Sequence, residues 1–343
     1  MNLFQSDYQE GADEKVLKAL LDTNGLQTPG YGVDTITEET KALIRTLCEA
    51  PEADVHFFVG GTQANLTVIA AALRPFEGVI SSDLGHINTH ETGAVEATGH
   101  KVLALPSGQG KITAEQIQAA YDAHVNDVTH EHIVRPAMVY LSHPTELGTL
   151  YTRTELDAIY AATQACGLKL FVDGARLAYG LAAEPDVDLP YLAGICDAFT
   201  IGGTKCGALF GEAVVLKNAA DWPHFRYHIK QRGALLAKGR LLAVQLRALL
   251  EDDHYTSLGR MANHKAQEIK QALLKKGYSM LADTKANQIF PVLPNIALKT
   301  LETDFTFAFW EAVDSAHTAV RICVGVTTPD ENIEALLHAV EAL

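Results

Sequence analysis

The sequence predicts an α/β protein with a mostly parallel sheet covered by helices on both faces. Short apolar runs that are rich in β-branched or aromatic residues are typical of buried strands, and four of them lie at 55–59, 137–141, 168–172 and 213–216. Stretches that open with threonine, a capping residue, predict helices between them, over 62–74, 113–124 and 152–166. Strands that alternate with helices favour parallel pairing.

The sequence after residue 234 changes character and predicts a second, smaller domain. A long helical pattern covers 235–250. An acidic stretch follows at 251–254, and further helical sequence extends to 276. Two short strands are predicted around 288–292 and 319–324, and a closing helix at 330–343. We therefore expect a large domain over 1–250, which includes the N-terminal segment, and a small C-terminal α+β domain over 251–343.

Composition restricts the possible partners and the compartment. The chain has 343 residues, of which 48% are hydrophobic and 20% charged, so it can bury a substantial core. Its net charge of -15 predicts a surface that repels nucleic acid and anionic membranes. Residues 1–14 lack the basic start and apolar run of a targeting segment, and five widely spaced cysteines without a Cys-x-x-Cys pair are typical of reduced thiols. We expect a cytoplasmic protein that binds neither nucleic acid nor membranes.

Lys205 and Asp173 each follow an apolar strand. The run 198–201 enters a glycine turn that ends at Lys205, and the run 168–172 ends at Asp173. Ligands of open α/β sheets bind at the carboxyl ends of strands, so we expect both side chains at one site. Pyridoxal phosphate needs a lysine to hold its aldehyde as an imine and a carboxylate to keep its ring nitrogen protonated. The pair therefore predicts that cofactor, and a plain helix cap remains the alternative role of Asp173.

A glycine turn predicts where the phosphate of this cofactor binds. Gly60-Gly61-Thr62-Gln63 follows the first strand and begins a helix, whose free N–H groups and dipole suit a phosphate dianion. Many such turns merely join a strand to a helix. A Walker loop is excluded, because Gly202-Gly203-Thr204-Lys205 reverses the required order. We assign Gly61, Thr62 and Gln63, together with Arg176 and Thr204, to the cofactor site.

His86 lies in a polar stretch after an apolar strand at 79–80. An imidazole there can stack on the cofactor ring and exchange protons near neutral pH. A metal site with His90 and Glu91 is an alternative, but a zincin helix needs Glu directly after the first His, and Ile87 stands there. An ordinary surface or core histidine is the third possibility. We predict no metal.

Several basic residues are candidates for binding anions. Arg176 and Arg321 can each grip a substrate carboxylate with two parallel hydrogen bonds. The alternatives are a salt bridge for Arg176 and an outward-facing position for Arg321, which interrupts an apolar stretch. A basic run, Arg226 to Arg240, either forms a solvated helix face or supplies a cation to the cofactor phosphate, from this chain or from a partner subunit. The sequence does not select one residue of that run.

Together, Gly-Gly-Thr-Gln-Ala-Asn at 60–65, His86, Val-Asp-Gly-Ala-Arg at 172–176 and Thr-Lys at 204–205 resemble the threonine aldolases of the aromatic β-eliminating lyase group. The resemblance covers nearly the whole chain. It implies an aspartate aminotransferase-like fold, with a mostly parallel seven-stranded sheet flanked by helices and a smaller C-terminal α+β domain. It also implies homodimers or homotetramers whose sites lie between subunits.

The resemblance further implies roles for individual residues. These are Lys205 as the Schiff-base lysine, Asp173 on the pyridine nitrogen, His86 over the ring, Gly61 and Thr62 at the phosphate, Ser6, Arg176 and Arg321 near the substrate carboxylate, and Tyr31 in a loop that reaches the active site. Two segments depart from the family pattern: Gln5-Ser6-Asp7-Tyr8 replaces Arg-Ser-Asp-Thr, and Pro144-Thr145-Glu146 replaces Asn-Thr-His.

The activity that the resemblance implies is retro-aldol cleavage of a β-hydroxy-α-amino acid to glycine and an aldehyde. Threonine, allo-threonine and phenylserine are the expected substrates, and His86 is the expected base for the β-hydroxyl proton, directly or through water. Three alternatives remain at this point. They are another pyridoxal phosphate reaction, either β-elimination or serine hydroxymethyltransferase-like transfer, a binding protein without turnover, and a metal-dependent hydrolase built on His86, His90 and Glu91.

Overall fold

A computed structural model describes the whole chain, residues 1–343. The helices are α1 Glu14–Thr23, α2 Thr35–Leu47, α3 Gly61–Ala72, α4 His86–Thr89, α5 Ala114–Val125, α6 Arg153–Cys166, α7 Leu177–Ala183, α8 Leu189–Ile195, α9 Phe225–Gln231, α10 Arg240–Leu250, α11 His254–Lys275, α12 Asn295–Leu301 and α13 Asp330–Ala342. The strands are β1 Asn2–Leu3, β2 Asp54–Phe58, β3 Glu77–Ser82, β4 Lys101–Leu105, β5 Arg135–Ser142, β6 Lys169–Asp173, β7 Ala198–Gly202, β8 Glu212–Leu216, β9 Ser279–Met280, β10 Gln288–Ile289, β11 Pro291–Pro294, β12 Phe305–Thr306, β13 Ala308–Ala312 and β14 His317–Cys323.

The predicted α/β architecture is confirmed. Seven strands form one sheet in the order β2-β8-β7-β6-β5-β3-β4, and only β8 runs antiparallel to its neighbours. The inner strands β6, β7 and β8 are buried along nearly their whole length. Apolar side chains cover both faces of the sheet in two large clusters, as expected when helices pack on either side.

A second, antiparallel sheet forms the C-terminal part. Its order is β10-β14-β11-β9, and β13 also pairs with β14. The N-terminus joins this part, because β1 pairs in parallel with β12. No helix of the protein combines the length and apolar character that crossing a membrane requires. All five cysteines are free and buried.

The sequence locates most helix starts, with one clear error. Thr113 and Thr152 cap α5 and α6 through capping boxes. The helix predicted over 235–250 begins only at Arg240. The segment before it is a loop that lies against the turn at Gly30, whose added Cβ would stand 2.7 Å from the carbonyl oxygen of Ala237. The Tyr31 N–H also donates to the Ala237 carbonyl at 3.2 Å, so tertiary contact overrides the local helical pattern.

Candidate active site

One edge of the large sheet gathers the predicted functional residues around a cavity of about 330 Å³. Parallel strands end at the same edge, so the residues that follow them become neighbours. The lining includes Gly61 after β2, His86 after β3, Glu146 after β5, Asp173 at the end of β6 and Lys205 after β7. The predicted convergence of lysine, carboxylate and glycine turn is therefore what the fold produces.

Lys205 reaches the cavity from the turn that follows β7. The Tyr179 hydroxyl donates to the Lys205 carbonyl at 2.6 Å and fixes the backbone there. Burial and the nearby Arg176 guanidinium lower the pKa of the amine. When the pKa of a lysine is lowered, a larger fraction of the molecules carries the neutral, nucleophilic amine near neutral pH.

Asp173 is a buried carboxylate whose hydrogen bonds favour its ionised form. Its Oδ2 accepts from the Tyr140 hydroxyl at 2.7 Å and from Asn65 Nδ2 at 2.8 Å, and its Oδ1 accepts from the Ala175 N–H at 2.8 Å. Burial opposes the charge, but His86 and these side-chain hydrogen bonds hold the pKa of Asp173 below its ordinary value. Asp173 is not the cap of α7, whose N-cap residue is Arg176.

A hydrogen-bonded chain links Asp173 to His86. Asn65 Nδ2 donates to Asp173 and also to Glu91 Oε1, at 2.8 Å each. His86 Nδ1 lies 2.7 Å from the same Glu91 oxygen. A carboxylate can only accept here, so Nδ1 carries the proton and Nε2 is the nitrogen that can accept one. The chain therefore orients an imidazole base beside the lysine.

The metal alternative has no support in the geometry. His86 and His90 rings are 5.7 Å apart between centroids, and Glu91 is bonded to His86 and Asn65. No group of three or more His, Cys, Asp or Glu side chains could hold a metal ion.

The glycine turn is open towards the cavity. Gly60 is the N-cap of α3, and an added Cβ on Gly60 or Gly61 would meet no atom within 4 Å. Thr62 and Thr204 line the same cavity. Gln63 does not, because its side chain accepts from the Val59 N–H at 3.2 Å and donates to the Arg232 carbonyl at 2.9 Å. It ties the turn to the loop after α9.

The residues of this cavity fit pyridoxal phosphate. The open turn at the start of α3 offers unpaired N–H groups to a phosphate. An ionised, buried carboxylate would be available to a protonated ring nitrogen, and a lysine of lowered pKa would be available for the aldehyde. These three features occur in one cavity.

Arg176 and Arg321 lie at an adjoining cavity of about 300 Å³. Arg176 forms a bidentate pair with Asp7, with Nε–Oδ2 at 2.7 Å and Nη2–Oδ1 at 3.0 Å. Asn287 also donates to Asp7, at 2.9 Å. Arg321 donates to the Gln5 carbonyl at 2.8 Å, and its buried Nε has no partner. The salt-bridge alternative for Arg176 is therefore realised, although its guanidinium still lines both cavities.

Two predicted substrate residues stay outside both cavities. Ser6 is buried, and its hydroxyl accepts from Gln9 Nε2 at 2.7 Å. Tyr31 is exposed and lines a separate small cavity with Arg226, which donates to the Tyr31 carbonyl at 2.8 Å. Lys230 Nζ lies 4.8 Å from the Tyr31 ring centroid. Part of the basic run thus binds the turn that carries Tyr31, within this chain.

Sequence reasoning missed several functional side chains. Asn65 lay inside a quoted motif without a role, and Glu91 entered only as a metal ligand. Tyr140, Asp7 and Glu212 were not assigned, although each is a buried polar residue at the site. For Tyr140 and Glu212 the available signal was a polar group in or beside an apolar strand, which requires a partner when it is buried. Asn65, Glu91 and Asp7 have no such signal.

Comparison with known proteins agrees with this geometry. Residues 25–294 match the family model described as "Beta-eliminating lyase". The chain is 32% identical over 308 residues to a low specificity L-threonine aldolase of Pseudomonas aeruginosa, covering 87% of this chain and 86% of that protein. The corresponding Saccharomyces cerevisiae enzyme is 28% identical, covering 84% and 73%.

Solved structures give the same result for the fold. A Leishmania major threonine aldolase structure is 41% identical and superposes with a TM-score of 0.96, covering 100% of this chain and 99% of the other. A histidinol-phosphate aminotransferase of Clostridium acetobutylicum, 12% identical, has a TM-score of 0.74 over 100% and 98%, and shares the fold alone. The chain therefore belongs to the β-eliminating lyase family, among its threonine aldolases, and is a pyridoxal phosphate-dependent lyase of the aspartate aminotransferase-like fold.

Proposed function

We propose that the protein cleaves a β-hydroxy-α-amino acid, such as threonine, allo-threonine or phenylserine, to glycine and an aldehyde by a retro-aldol reaction. The arrangement that carries the proposal is the chain from Asp173 through Asn65 and Glu91 to His86, beside Lys205. It combines an ionised acid, an oriented imidazole and an amine in one cavity. The L-threonine aldolase relatives support the same reaction class.

The lysine, the acid and the turn would hold the cofactor. Lys205 would bind its aldehyde, Asp173 its ring nitrogen, and the Gly61 and Thr62 N–H groups its phosphate, with Thr204 nearby. Bound pyridoxal phosphate supplies an electron sink for the carbon–carbon bond that breaks. Because Asp173 is held ionised, it can keep a ring nitrogen protonated.

His86 is the proposed base. Its Nδ1 hydrogen bond to Glu91 leaves Nε2 as the atom that accepts the β-hydroxyl proton. Glu91 then stabilises the imidazolium that forms, since a charge-assisted hydrogen bond is stronger than a neutral one. Arg176 and Arg321 would orient the substrate carboxylate at the adjoining cavity, and Ser6 of the N-terminal segment is retained as a proposed third contact of that carboxylate.

Four further features are inferred. We propose a homodimer or homotetramer in which Tyr31, exposed in one chain, completes the site of a second copy. We infer a large domain over 1–250 and a small one over 251–343. The five free cysteines favour a reducing, cytoplasmic location. An amino acid is the small-molecule partner, and neither nucleic acid nor membrane is proposed.

The test is to incubate the purified holoenzyme with L-threonine and to measure glycine, acetaldehyde, ammonia and keto acid. Equal amounts of glycine and acetaldehyde are expected, and none with Lys205→Ala. Lys217→Ala is the matched control, because Lys217 also follows a strand of the sheet but lies outside the cavity. Ammonia and a keto acid as main products would assign the chain to β-elimination. Conversion of serine to glycine that requires a one-carbon acceptor, without cleavage of threonine, would assign it to hydroxymethyl transfer.

A further inference from the structure

The substituent on the β-carbon of the substrate is the one group to which the proposed reaction assigns no contact. The substrate amine would lie at Lys205, its carboxylate at Arg176 and Arg321, and its β-hydroxyl at His86. All four residues line the adjoining cavity of about 300 Å³. The β-substituent must therefore lie against the rest of the lining. Four residues remain there, which are Tyr8, His90, Glu146 and Trp310.

Only two of the eight side chains that line this cavity are apolar, and both belong to the four without a role. They are the aromatic rings of Tyr8 and Trp310. Of the other two residues, Glu146 is bonded to the protein, because its Oε1 accepts from the His86 N–H at 2.7 Å, and His90 is exposed. A hydrocarbon substituent is more stable against apolar groups than against a carboxylate or a solvated imidazole. The two rings therefore form the wall that suits it.

Trp310 is held against the apolar core of the protein. It lies in β13, is half-buried, and its ring centroid is 4.9 Å from that of Phe290, with 77° between the ring planes. Aromatic pairs prefer such edge-to-face arrangements. Phe290 is fully buried and packs with Leu147 and Ala282. The indole at the cavity is thus fixed before a substrate binds, which lowers the entropy cost of binding.

Tyr8 places a second ring at the same cavity from the N-terminal segment. The residue is 57% exposed and lines both cavities. Its neighbour Asp7 forms the bidentate pair with Arg176, at 2.7 and 3.0 Å, so the backbone that carries the ring is anchored beside a proposed carboxylate ligand. Tyr8 is also the position at which Gln5-Ser6-Asp7-Tyr8 replaces a threonine of the family pattern. This departure therefore adds an aromatic ring to the lining of the substrate cavity.

We propose that Tyr8 and Trp310 bind the β-substituent, and that the preferred substrates are β-aryl-serines such as phenylserine rather than threonine. A phenyl ring buries more apolar surface than a methyl group and gains further from aromatic neighbours. A cavity of about 150 Å³ is enough to hold benzene, and the adjoining cavity is larger, at about 300 Å³. The inference rests on the proposed reaction for the positions of the amine, carboxylate and hydroxyl, and it names the substrate class of that reaction.

The test measures binding to the holoenzyme, so it does not depend on cleavage. L-Phenylalanine and L-2-aminobutyrate are phenylserine and threonine without the β-hydroxyl, and isothermal titration calorimetry gives the Kd of each. Phenylalanine should bind at least about tenfold more tightly, because its ring removes more apolar surface from water. Trp310→Ala should lower this preference about tenfold, and Tyr8→Thr, which places the family's threonine there, about threefold.

Phe309→Ala is the matched control. Phe309 precedes Trp310 in β13, but it is 69% exposed and lies outside the cavity, so its loss should leave the preference unchanged. Circular dichroism checks the fold of each variant, and the exposed position of Tyr8 keeps Tyr8→Thr decisive even if Trp310→Ala does not fold. An unchanged preference in either folded variant overturns the proposal, and so does equal binding of the two ligands by the wild-type protein. Neither result affects the proposed cleavage reaction, which is measured by the release of glycine from threonine.

Discussion

Two regions that carry predicted functional residues differ in how complete they are. The sheet-edge cluster, which consists of Asn65, His86, Glu91, Tyr140 and Asp173, is joined by hydrogen bonds of 2.7 to 2.8 Å within the chain. The surface pair, which consists of the Tyr31 turn and helix α9, presents an exposed aromatic ring and two cations to water. The sheet-edge cluster lies at the cavity of the proposed reaction, whereas the surface pair does not reach that cavity.

The difference shows what a single chain can organise. Four of the five residues of the sheet-edge cluster are buried, so their hydrogen bonds are stronger than in water and an unpaired group among them is costly. The surface pair is solvated, and exposed interactions of this kind contribute little on their own. Substitutions in the cluster should therefore have large effects within one chain, whereas those in the surface pair should have effects that depend on a second copy.

The largest effect is expected at the acid of the cluster. Asp173→Asn keeps the shape of the side chain but removes its charge, and breaking a buried charge pair costs roughly 3–5 kcal/mol, or about a hundredfold to several thousandfold in rate. The measurement is kcat/KM for threonine, with circular dichroism to confirm the fold. Asp22→Asn, at an exposed pair with Lys18, is the control and should keep wild-type activity. Near-normal activity in Asp173→Asn would show that the charge is not required.

The second prediction tests whether water reaches buried groups at the edge of the sheet where the cluster lies. His143 follows β5, is fully buried, and neither ring nitrogen has a partner. Burial lowers the pKa of His143 to about 4, from 6.5 for an exposed histidine. The folded state therefore favours the neutral ring. The free energy of unfolding is therefore undiminished above pH 6.5, where the ring is neutral in the folded and unfolded states. It falls by up to about 3 kcal/mol as the pH drops towards 4.

Urea unfolding at pH 7 and at pH 4.5 measures this loss. His143→Leu should lose less stability between the two pH values than the wild-type protein does, because it has no ring to protonate. His224→Asn is the control from the surface pair: His224 is exposed and has φ 63°, a conformation that asparagine tolerates, so acid sensitivity should not change. Equal acid sensitivity of His143→Leu and the wild type would mean that the ring is hydrated.

The third prediction concerns the bridge of the cluster. Asn65→Ala removes the amide that bonds both Asp173 and Glu91. Each hydrogen bond to a charged group contributes about 1.5–3 kcal/mol, so kcat should fall roughly tenfold to a hundredfold. Asn65 also helps to hold the pKa of Asp173 down, and its loss should move the acidic limb of the pH–rate profile to higher pH. Asn332→Ala, on α13, is the control, and an unmoved limb would assign Asn65 a packing role only.

The sequence predicted these two regions unequally, for physical reasons. Lys205, Asp173 and the Gly60-Gly61 turn follow apolar strands, and the end of a strand is a local pattern that also defines a place in the fold. The hydrogen-bonding partners of these residues, by contrast, are not marked by any pattern in the sequence around them. Asn65 and Glu91 are 26 positions apart, and Asp7 meets Arg176 across 169 positions, so only the folded chain brings them together.

The same reasoning explains the one clear error in secondary structure. Residues 235–239 have a helical pattern, but the loop they form packs against the Gly30 turn, and that contact is invisible in either segment alone. The position of Tyr31 was inferred from family resemblance and not from its own pattern. The role of Tyr31 in the site of a second copy therefore stays a prediction.

The smallest signal, and the sharpest for the comparison, is the partial activity recovered when two inactive proteins are mixed. If Tyr31 completes the site of a second copy, Tyr31→Ala and Lys205→Ala should each be inactive or nearly so. After equal amounts are unfolded and refolded together, about a quarter of the sites combine an intact Lys205 with an intact Tyr31 from another chain, so about a quarter of wild-type activity should return. Tyr227→Ala, an exposed tyrosine of α9, replaces Tyr31→Ala in the control. If Tyr31 instead acts within its own chain, every site in the mixture carries one lesion, and activity does not return.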